Sequence, residues 1–193
     1  RSFKDNDSRF PERFEKISNS FIEQIEALAN IASEFSAFAK LPESHFIVLN
    51  LIEKINKSIH VYDNLPNVKI QLHNETTFGE RIEIFGDRDQ VIRTFNNLIK
   101  NAIEATLGRR RPRITITIKS HDDNHVLIEV SDNGFGIPEE VIPKIFKPNF
   151  TTKSSGTGLG LAFVKQTITG MGGTIDYQTR LNQGTTFFIV LPL

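Results

Sequence analysis

The sequence predicts an α+β fold: one long helix followed by a mixed domain of helices and strands. Three observations carry that prediction. Apolar residues recur at heptad spacing over residues 10–40, short segments after residue 67 show apolar alternation, and a helix with its own N-terminal capping signal lies among them. A chain of 193 residues accommodates one well-cored domain with an appendage, whereas two full domains would be tight.

In the first segment Phe14, Ile17, Phe21, Leu28, Ile31, Phe35 and Phe38 fall at alternating steps of three and four, with Gln24 filling the one gap. That is a heptad seam. Ile22, Ile25, Ala29, Ala32 and Ala39 widen the stripe beyond a two-stranded zipper, which suits a helix buried in a four-helix bundle. Leu41-Pro42 stops this helix, because proline disfavours helical geometry in the residue before it and lacks an amide hydrogen. The boundary is expected within Lys40 to Ser44, leaving residues 1–43 as the helical part and 44–193 as the second domain.

The second domain is expected to open with an extended piece at 45–48, a helix over about 50–62 and a turn at 64–67 containing Pro66. Strands are expected at 68–73 and 81–85 from partial alternation. Asp87 with Gln90 three residues on has the spacing of a capping box, so a helix begins there and runs to about Thr106, ending near Gly108. Strands at 113–119 and 126–130, joined by His121-Asp122-Asp123-Asn124, should form an antiparallel hairpin. A long loop over 131–160 reads as functional, since few of its residues can build a core. A helix over 159–170 and strands at 174–178 and 185–191 close the chain.

Lys plus Arg and Asp plus Glu both number 23, so the summed field gives no reason to expect nucleic acid or direct membrane contact. The absence of cysteine excludes disulfides and thiolate chemistry and fits a reducing compartment. No apolar run approaches the roughly 20 residues that span a bilayer, and residues 1–9 have no signal-peptide core. A first residue of Arg is the mark expected of a piece trimmed from a longer protein, one that is itself membrane-anchored in the expected arrangement.

Three motifs carry chemistry. Within residues 96–105, Asn97, Asn101 and Glu104 share one helical face while Leu98, Ile99, Ala102 and Ile103 supply the apolar side. Asparagine is a mediocre helix former. This face is therefore either a plain solvated one or a ligand site, for which an amide oxygen is a neutral hard ligand suited to Mg2+. Residues 131–138, Ser-Asp-Asn-Gly-Phe-Gly-Ile-Pro, follow a predicted strand. They form either an ordinary turn or a pocket in which Asp132 accepts from an exocyclic amine while Gly134 and Gly136 let backbone approach the ligand. Residues 156–161, Gly-Thr-Gly-Leu-Gly-Leu, open a helix, where unpaired amides make an anion site. They lack the strand, lysine and spacing of a Walker loop and do not follow a first strand as a dinucleotide fingerprint does.

The order Asn-x-x-x-Asn-Ala, Asp-x-Gly-x-Gly-Ile, Phe-x-x-x-Phe-Thr-Thr-Lys at 146–153, and Gly-Thr-Gly-Leu-Gly-Leu resembles the N, G1, F and G2 boxes of the sensor histidine kinases. The gaps match too, Gly184-Thr185-Thr186-Phe187 looks like the family's late Gly-Thr-x-Phe segment, and the motif style is closest to the nitrogen-regulation branch. The resemblance runs from about Asn50 to the C-terminus. It implies a two-layer α/β sandwich of the Bergerat type, shared with gyrase, the heat-shock chaperone and mismatch-repair ATPases.

By the same resemblance, ATP is the ligand and Asn101 coordinates Mg2+, with Asn97 and Glu104 beside it. Asp132 accepts from adenine, Gly134, Gly136 and Ile137 shape the base pocket, and Thr185 lines it. Phe146, Phe150, Thr151, Thr152 and Lys153 belong to a mobile lid, with Lys153 on the γ-phosphate, and the amides of Gly156, Gly158 and Gly160, with Thr157, Leu159 and Leu161, hold phosphate oxygens. Asn97, Glu104 and Lys153 are the implied catalytic set. Lys147 and Asn149 stand where many relatives have an acidic and an aromatic residue.

Relatives also carry a phosphoacceptor histidine followed by an acidic residue and soon a proline; His45, His60, His73, His121 and His125 lack that context and read as surface histidines. The helix over 10–40 then resembles the second helix of the dimeric phosphotransfer hairpin, with the first outside this chain. The implied partners are a second copy through that helix, the acceptor helix of the parent kinase and a response regulator, in the cytoplasm. Two other functions share the fold: a nucleotide-gated binding module and a protein-serine kinase of the anti-sigma type.

Overall fold

The computed structural model describes residues 10–39, 44–65, 68–153 and 156–193. It divides into two units, Arg1–Pro42 with Thr152–Thr157 and Glu43–Thr151 with Gly158–Leu193.

The first unit holds helix α1, Phe10–Ala39. Pro11 sits in its first turn, where a missing amide hydrogen costs no intrahelical bond. The helix is continuous over 30 residues, and its heptad residues Phe14, Ile17, Phe21 and Leu28 are all more than half exposed. The side chains of Ile31, Phe35 and Phe38, and the expected boundary at 40–43, lie outside the described residues.

The second unit runs β1 (Phe46–Asn50), α2 (Leu51–His60), β2 (Lys69–Asn74), β3 (Glu83–Asp87), α3 (Arg88–Thr106), β4 (Arg113–Asp122), β5 (His125–Asp132), α4 (Gly160–Gly170), β6 (Thr174–Arg180) and β7 (Gly184–Pro192). Strands β2-β4-β5-β7-β6 form one sheet, parallel at β2–β4 and antiparallel elsewhere, while β1 and β3 make a separate antiparallel pair. The expected β4–β5 hairpin is present. Its turn is tighter than the four residues expected, because Asp122 Oδ1 accepts from the Asn124 amide at 2.8 Å and the register shifts between Ser120 and Asp122.

Strand β3 lies two residues further on than alternation placed it. The strand continues through Gly86, which has no side chain to show a period. A Cβ there would stand 2.6 Å from Met171 Cε, so a side chain at this place would require the flexible end of Met171 to shift. The capping box at Asp87 is half formed: Asp87 Oδ1 accepts from the Asp89 and Gln90 amides, both at 3.0 Å, but Gln90 Nε2 donates to Ser44 Oγ at 2.9 Å instead of turning back to Asp87.

The core is the layer between helices and sheet. Ile114, Ile116 and Ile118 of β4, Val126, Ile128 and Val130 of β5, and Phe187, Ile189 and Leu191 of β7 alternate inward and are buried. Helix α3 covers them with Val91, Phe95, Leu98, Ile99 and Ala102, and it packs on β4, β5, α2 and α4. Each such side chain contributes about 1.5–3 kcal/mol. Because α3 is fixed through this apolar stripe, the direction of its opposite face is fixed as well.

Candidate nucleotide site

The side of α3 away from that stripe carries Asn97, Asn101 and Glu104, all partly buried. Asn97 Nδ2 is buried and has no hydrogen-bond partner among the described residues. Leaving such a donor unpaired inside a protein costs about 1–3 kcal/mol, so an acceptor placed here would be stabilising. Glu104 lies close enough to Tyr62 to act on it: burial first, then the Glu104 charge, raise the Tyr62 phenol above its ordinary range. Tyr62 Oη in turn donates to the Asn96 carbonyl at 3.4 Å, tying α3 to the end of α2.

Asp132 is the last residue of β5. Its Oδ1 accepts from the Gly134 amide at 2.7 Å and the Thr185 amide at 3.3 Å. Burial pushes its carboxyl above the usual carboxylate range, against the lowering pull of the two amides and of Arg109. Gly184 has φ +115°, and a Cβ on it would overlap the Asp132 carbonyl oxygen, so the β7 start closes directly on this residue.

The turn after Asp132 meets the end of α3. A Cβ on Gly134 would stand 2.5 Å from the Ala105 carbonyl oxygen, to which the Phe135 amide donates at 3.1 Å. On its other side the turn is held by β6 and β7: the Ile137 amide donates to Thr179 Oγ1 at 2.8 Å, and Thr179 Oγ1 lies 3.0 Å from Thr185 Oγ1. Thr185 itself is buried.

The third motif reaches α3 as well. A Cβ on Gly160, the first residue of α4, would stand 3.2 Å from Asn97 Oδ1. Gly158, at φ +70°, packs against the Phe150 amide nitrogen. Asn149 beneath it has φ 61°, a conformation asparagine tolerates better than the aromatic residue of many relatives. Leu159 is buried and Leu161 half-buried. Half-buried Phe146 joins Tyr177 and Phe187, ring centroids 6.0 and 6.4 Å away, with Lys165 Nζ 5.3 Å above its ring.

The structure thus brings Asn97, Asp132, Gly134, Gly136, Ile137, Gly158, Gly160 and Thr185 onto adjoining segments of one unit, with Asn101, Glu104, Phe146 and Thr151 in the same unit. Thr152, Lys153, Gly156 and Thr157 fall in the other unit, where Thr152 and Lys153 are exposed and the Gly156 amide donates to the Lys153 carbonyl at 3.3 Å. Sequence reasoning missed Arg109 and Thr179, which brace the Asp132 turn from both sides. Arg109 reads as one of a basic loop run, and Thr179 falls just past the strand expected at 174–178; nothing in spacing marks either. A cavity of about 480 Å³ between β1 and α2, lined by Asn50, Glu53, Lys54, Arg81 and Arg88 among others, shares no residue with the three motifs.

Residues 86–193 match the family described as "Histidine kinase-, DNA gyrase B-, and HSP90-like ATPase". The NtrY-like sensor histidine kinase of Rickettsia conorii is 34% identical over 180 residues, covering 93% of this chain and 30% of that protein. The nucleotide-free catalytic domain of histidine kinase ThkA superposes with a TM-score of 0.65 at 35% identity, covering 77% of this chain and 97% of that one. Histidine kinase ThkA in complex with response regulator protein TrrA gives 0.71 at 28% identity, covering 94% of this chain and 52% of that one. The chain spans under a third of the length of the Rickettsia conorii relative, at 30%.

Proposed function

The chain belongs to the histidine kinase-, DNA gyrase B-, and HSP90-like ATPase family and carries the ATP-binding catalytic domain of a sensor histidine kinase; from that premise we propose how its residues hold ATP and serve phosphoryl transfer. The Asp132 carboxylate accepts from the adenine amine, Thr185 lines the base, and Gly134, Gly136 and Ile137 shape the pocket around it. Asn101 offers its amide oxygen to Mg2+, with Asn97 and Glu104 beside it. The amides of Gly156, Gly158 and Gly160, with Thr157, Leu159 and Leu161 between and after them, hold phosphate oxygens at the start of α4. Phe146, Thr151, Thr152 and Lys153 form the lid, with Lys153 on the γ-phosphate.

One observation carries this reading: α3 is in contact with both glycine motifs, at Ala105 with Gly134 and at Asn97 with Gly160. The residues fit Mg2+ as well as nucleotide, because neutral amide oxygens leave the ion free to keep phosphate and water ligands. Mg2+, when bound, neutralises charge on the phosphates.

In the transfer, a histidine nitrogen on a segment outside these residues attacks the γ-phosphorus. The bond to the β–γ bridging oxygen breaks, and ADP leaves with that electron pair. Positioning and electrostatics supply the rate, so Asn97, Glu104 and Lys153 act by orienting and screening. The acceptor histidine lies on a helix of the parent kinase, α1 pairs with a second copy, and a response regulator receives the phosphoryl group, in keeping with the ThkA–TrrA complex. None of the described helices is long and apolar enough to cross a membrane; the domain works on the cytoplasmic side of a membrane-anchored parent.

Calorimetry with ATP tests the site. Asp132→Asn should lower affinity at least about tenfold, the size of one lost charge-assisted hydrogen bond, and Asn101→Ala should weaken Mg2+-ATP more than metal-free ATP. Unchanged affinity in Asp132→Asn means the base does not sit there. Incubation with an acceptor-helix fragment and labelled ATP should place label on histidine; label on serine supports an anti-sigma type kinase, and bound but untransferred ATP a nucleotide-gated module.

A further inference from the structure

The geometry points to Arg109 as a positioning residue of the adenine site: from the loop after α3, its guanidinium clamps the turn that carries Asp132, so that the carboxylate is presented to the base in one place and in its charged form. The inference rests on the nucleotide reading above.

Two contacts define the clamp. Arg109 Nη2 donates to the Gly134 carbonyl at 2.7 Å, and the guanidinium carbon lies 4.3 Å from the Phe135 ring centroid. The flat fork therefore grips two successive residues of the turn, one by its edge and one by its face, a combination open to arginine and closed to lysine. The loop that carries it is tied to α3, since the Arg109 amide donates to Thr106 O at 3.0 Å, and to the same turn, where Asn133 holds the neighbouring Arg111 and Arg113 backbone at 2.9 Å each. Arg109 Nε is buried with no partner among the described residues, so the side chain accepts a desolvation cost to stand where it does.

The same guanidinium acts on Asp132 through space. Burial favours the neutral acid, and the Arg109 charge is one of the influences opposing it, after the Gly134 and Thr185 amides. The charged groups on the segments around Asp132 are Glu104 near the end of α3, Arg109, Arg110 and Arg111 in the loop after it, Arg113 at the start of β4 and Arg180 at the end of β6; of these, Arg109 is the one whose charge lowers the carboxyl. A neutral Asp132 would meet the base with a weaker acceptor than the carboxylate, one of its oxygens having become a donor. Clamp and charge thus serve one end: a fixed, ionised acceptor.

The test uses the whole chain and measures ATP affinity by calorimetry from pH 4 to 8 for wild type, Arg109→Lys and Arg109→Gln. In wild type, affinity falls as pH drops through the Asp132 titration. Arg109→Gln should lose at least about tenfold at neutral pH, and its fall should begin at higher pH. Arg109→Lys, which keeps the charge and loses the fork, should show the wild-type pH midpoint with reduced affinity. Affinity and midpoint both unchanged in Arg109→Gln, with only the melting temperature lowered, would make the residue a structural brace and overturn the inference. If Arg109→Gln does not fold, Arg109→Lys decides alone, because wild-type affinity there removes the need for the fork. Failure of wild type to bind ATP at any pH would instead strike the nucleotide reading.

Discussion

Asp132 concentrates the tension between folding and function in one carboxyl. Its pKa is raised in the folded chain, chiefly by burial. A carboxyl with a raised folded value contributes stability only while protonated: the contribution is full below the unfolded value, about 3.9, and is lost as pH rises through the folded one. At neutral pH the ionised side chain therefore works against the fold. Asp132→Asn is expected to melt higher than wild type at pH 7 while binding ATP more weakly, with the two melting temperatures converging below about pH 4; a lower melting point at pH 7 would mean the carboxylate is held by more than Gly134, Thr185 and Arg109. Gly184 bears the opposite kind of constraint. With φ +115° and the Asp132 carbonyl occupying the place of a Cβ, Gly184→Ala should cost about 1–3 kcal/mol, read as a shift in the urea midpoint.

Among the elements, those with a strong period were legible and those shaped by a glycine or a turn were not. Helix α3 could be placed from Asp87 and its apolar spacing, and it runs Arg88–Thr106. The β4–β5 hairpin followed from alternation on both sides of a polar turn. Strand β3 slid by two residues because Gly86 has no side chain, and the pairing of Gln90 with Ser44 depends on a contact 46 positions distant in sequence that no local spacing encodes. The residues of the proposed site stand out in the sequence because Asn97, Asp132 and Gly158 sit in dense short motifs. Arg109 and Thr179 act across the fold, from segments that local chemistry leaves ordinary. Helix α1 presents a different case, a heptad seam whose Phe14, Phe21 and Leu28 are 60% or more exposed in this chain. Water does not favour such a stripe, and the proposed pairing with a second copy would bury it. Replacing Phe21 and Leu28 together by Ser should convert a dimer to a monomer in sedimentation equilibrium; an unaltered mass would assign the stripe another role.

At the scale of the molecule, a sheet with helices on one face supports a site on the outward side of α3. The five strands fix α3 through one stripe, and the two glycine motifs, which enter from β5 and into α4, meet the other side at Ala105 and Asn97. A formal charge of zero says nothing of this arrangement, because in the proposed site selectivity would rest on a few amides and one carboxylate and not on the summed field. Among the described residues, the cavity of about 480 Å³ between β1 and α2, with its Lys54, Arg81 and Arg88, differs in chemistry from this convergence. The most direct measurement is a titration of isotope-labelled chain with a non-hydrolysable ATP analogue and Mg2+, followed by amide chemical shifts. The largest changes should fall on Gly134, Gly136, Gly158, Gly160, Thr185 and the side-chain amide of Asn97; changes confined to residues 47–54, Arg81 and Arg88, with those glycines unmoved, would contradict the site.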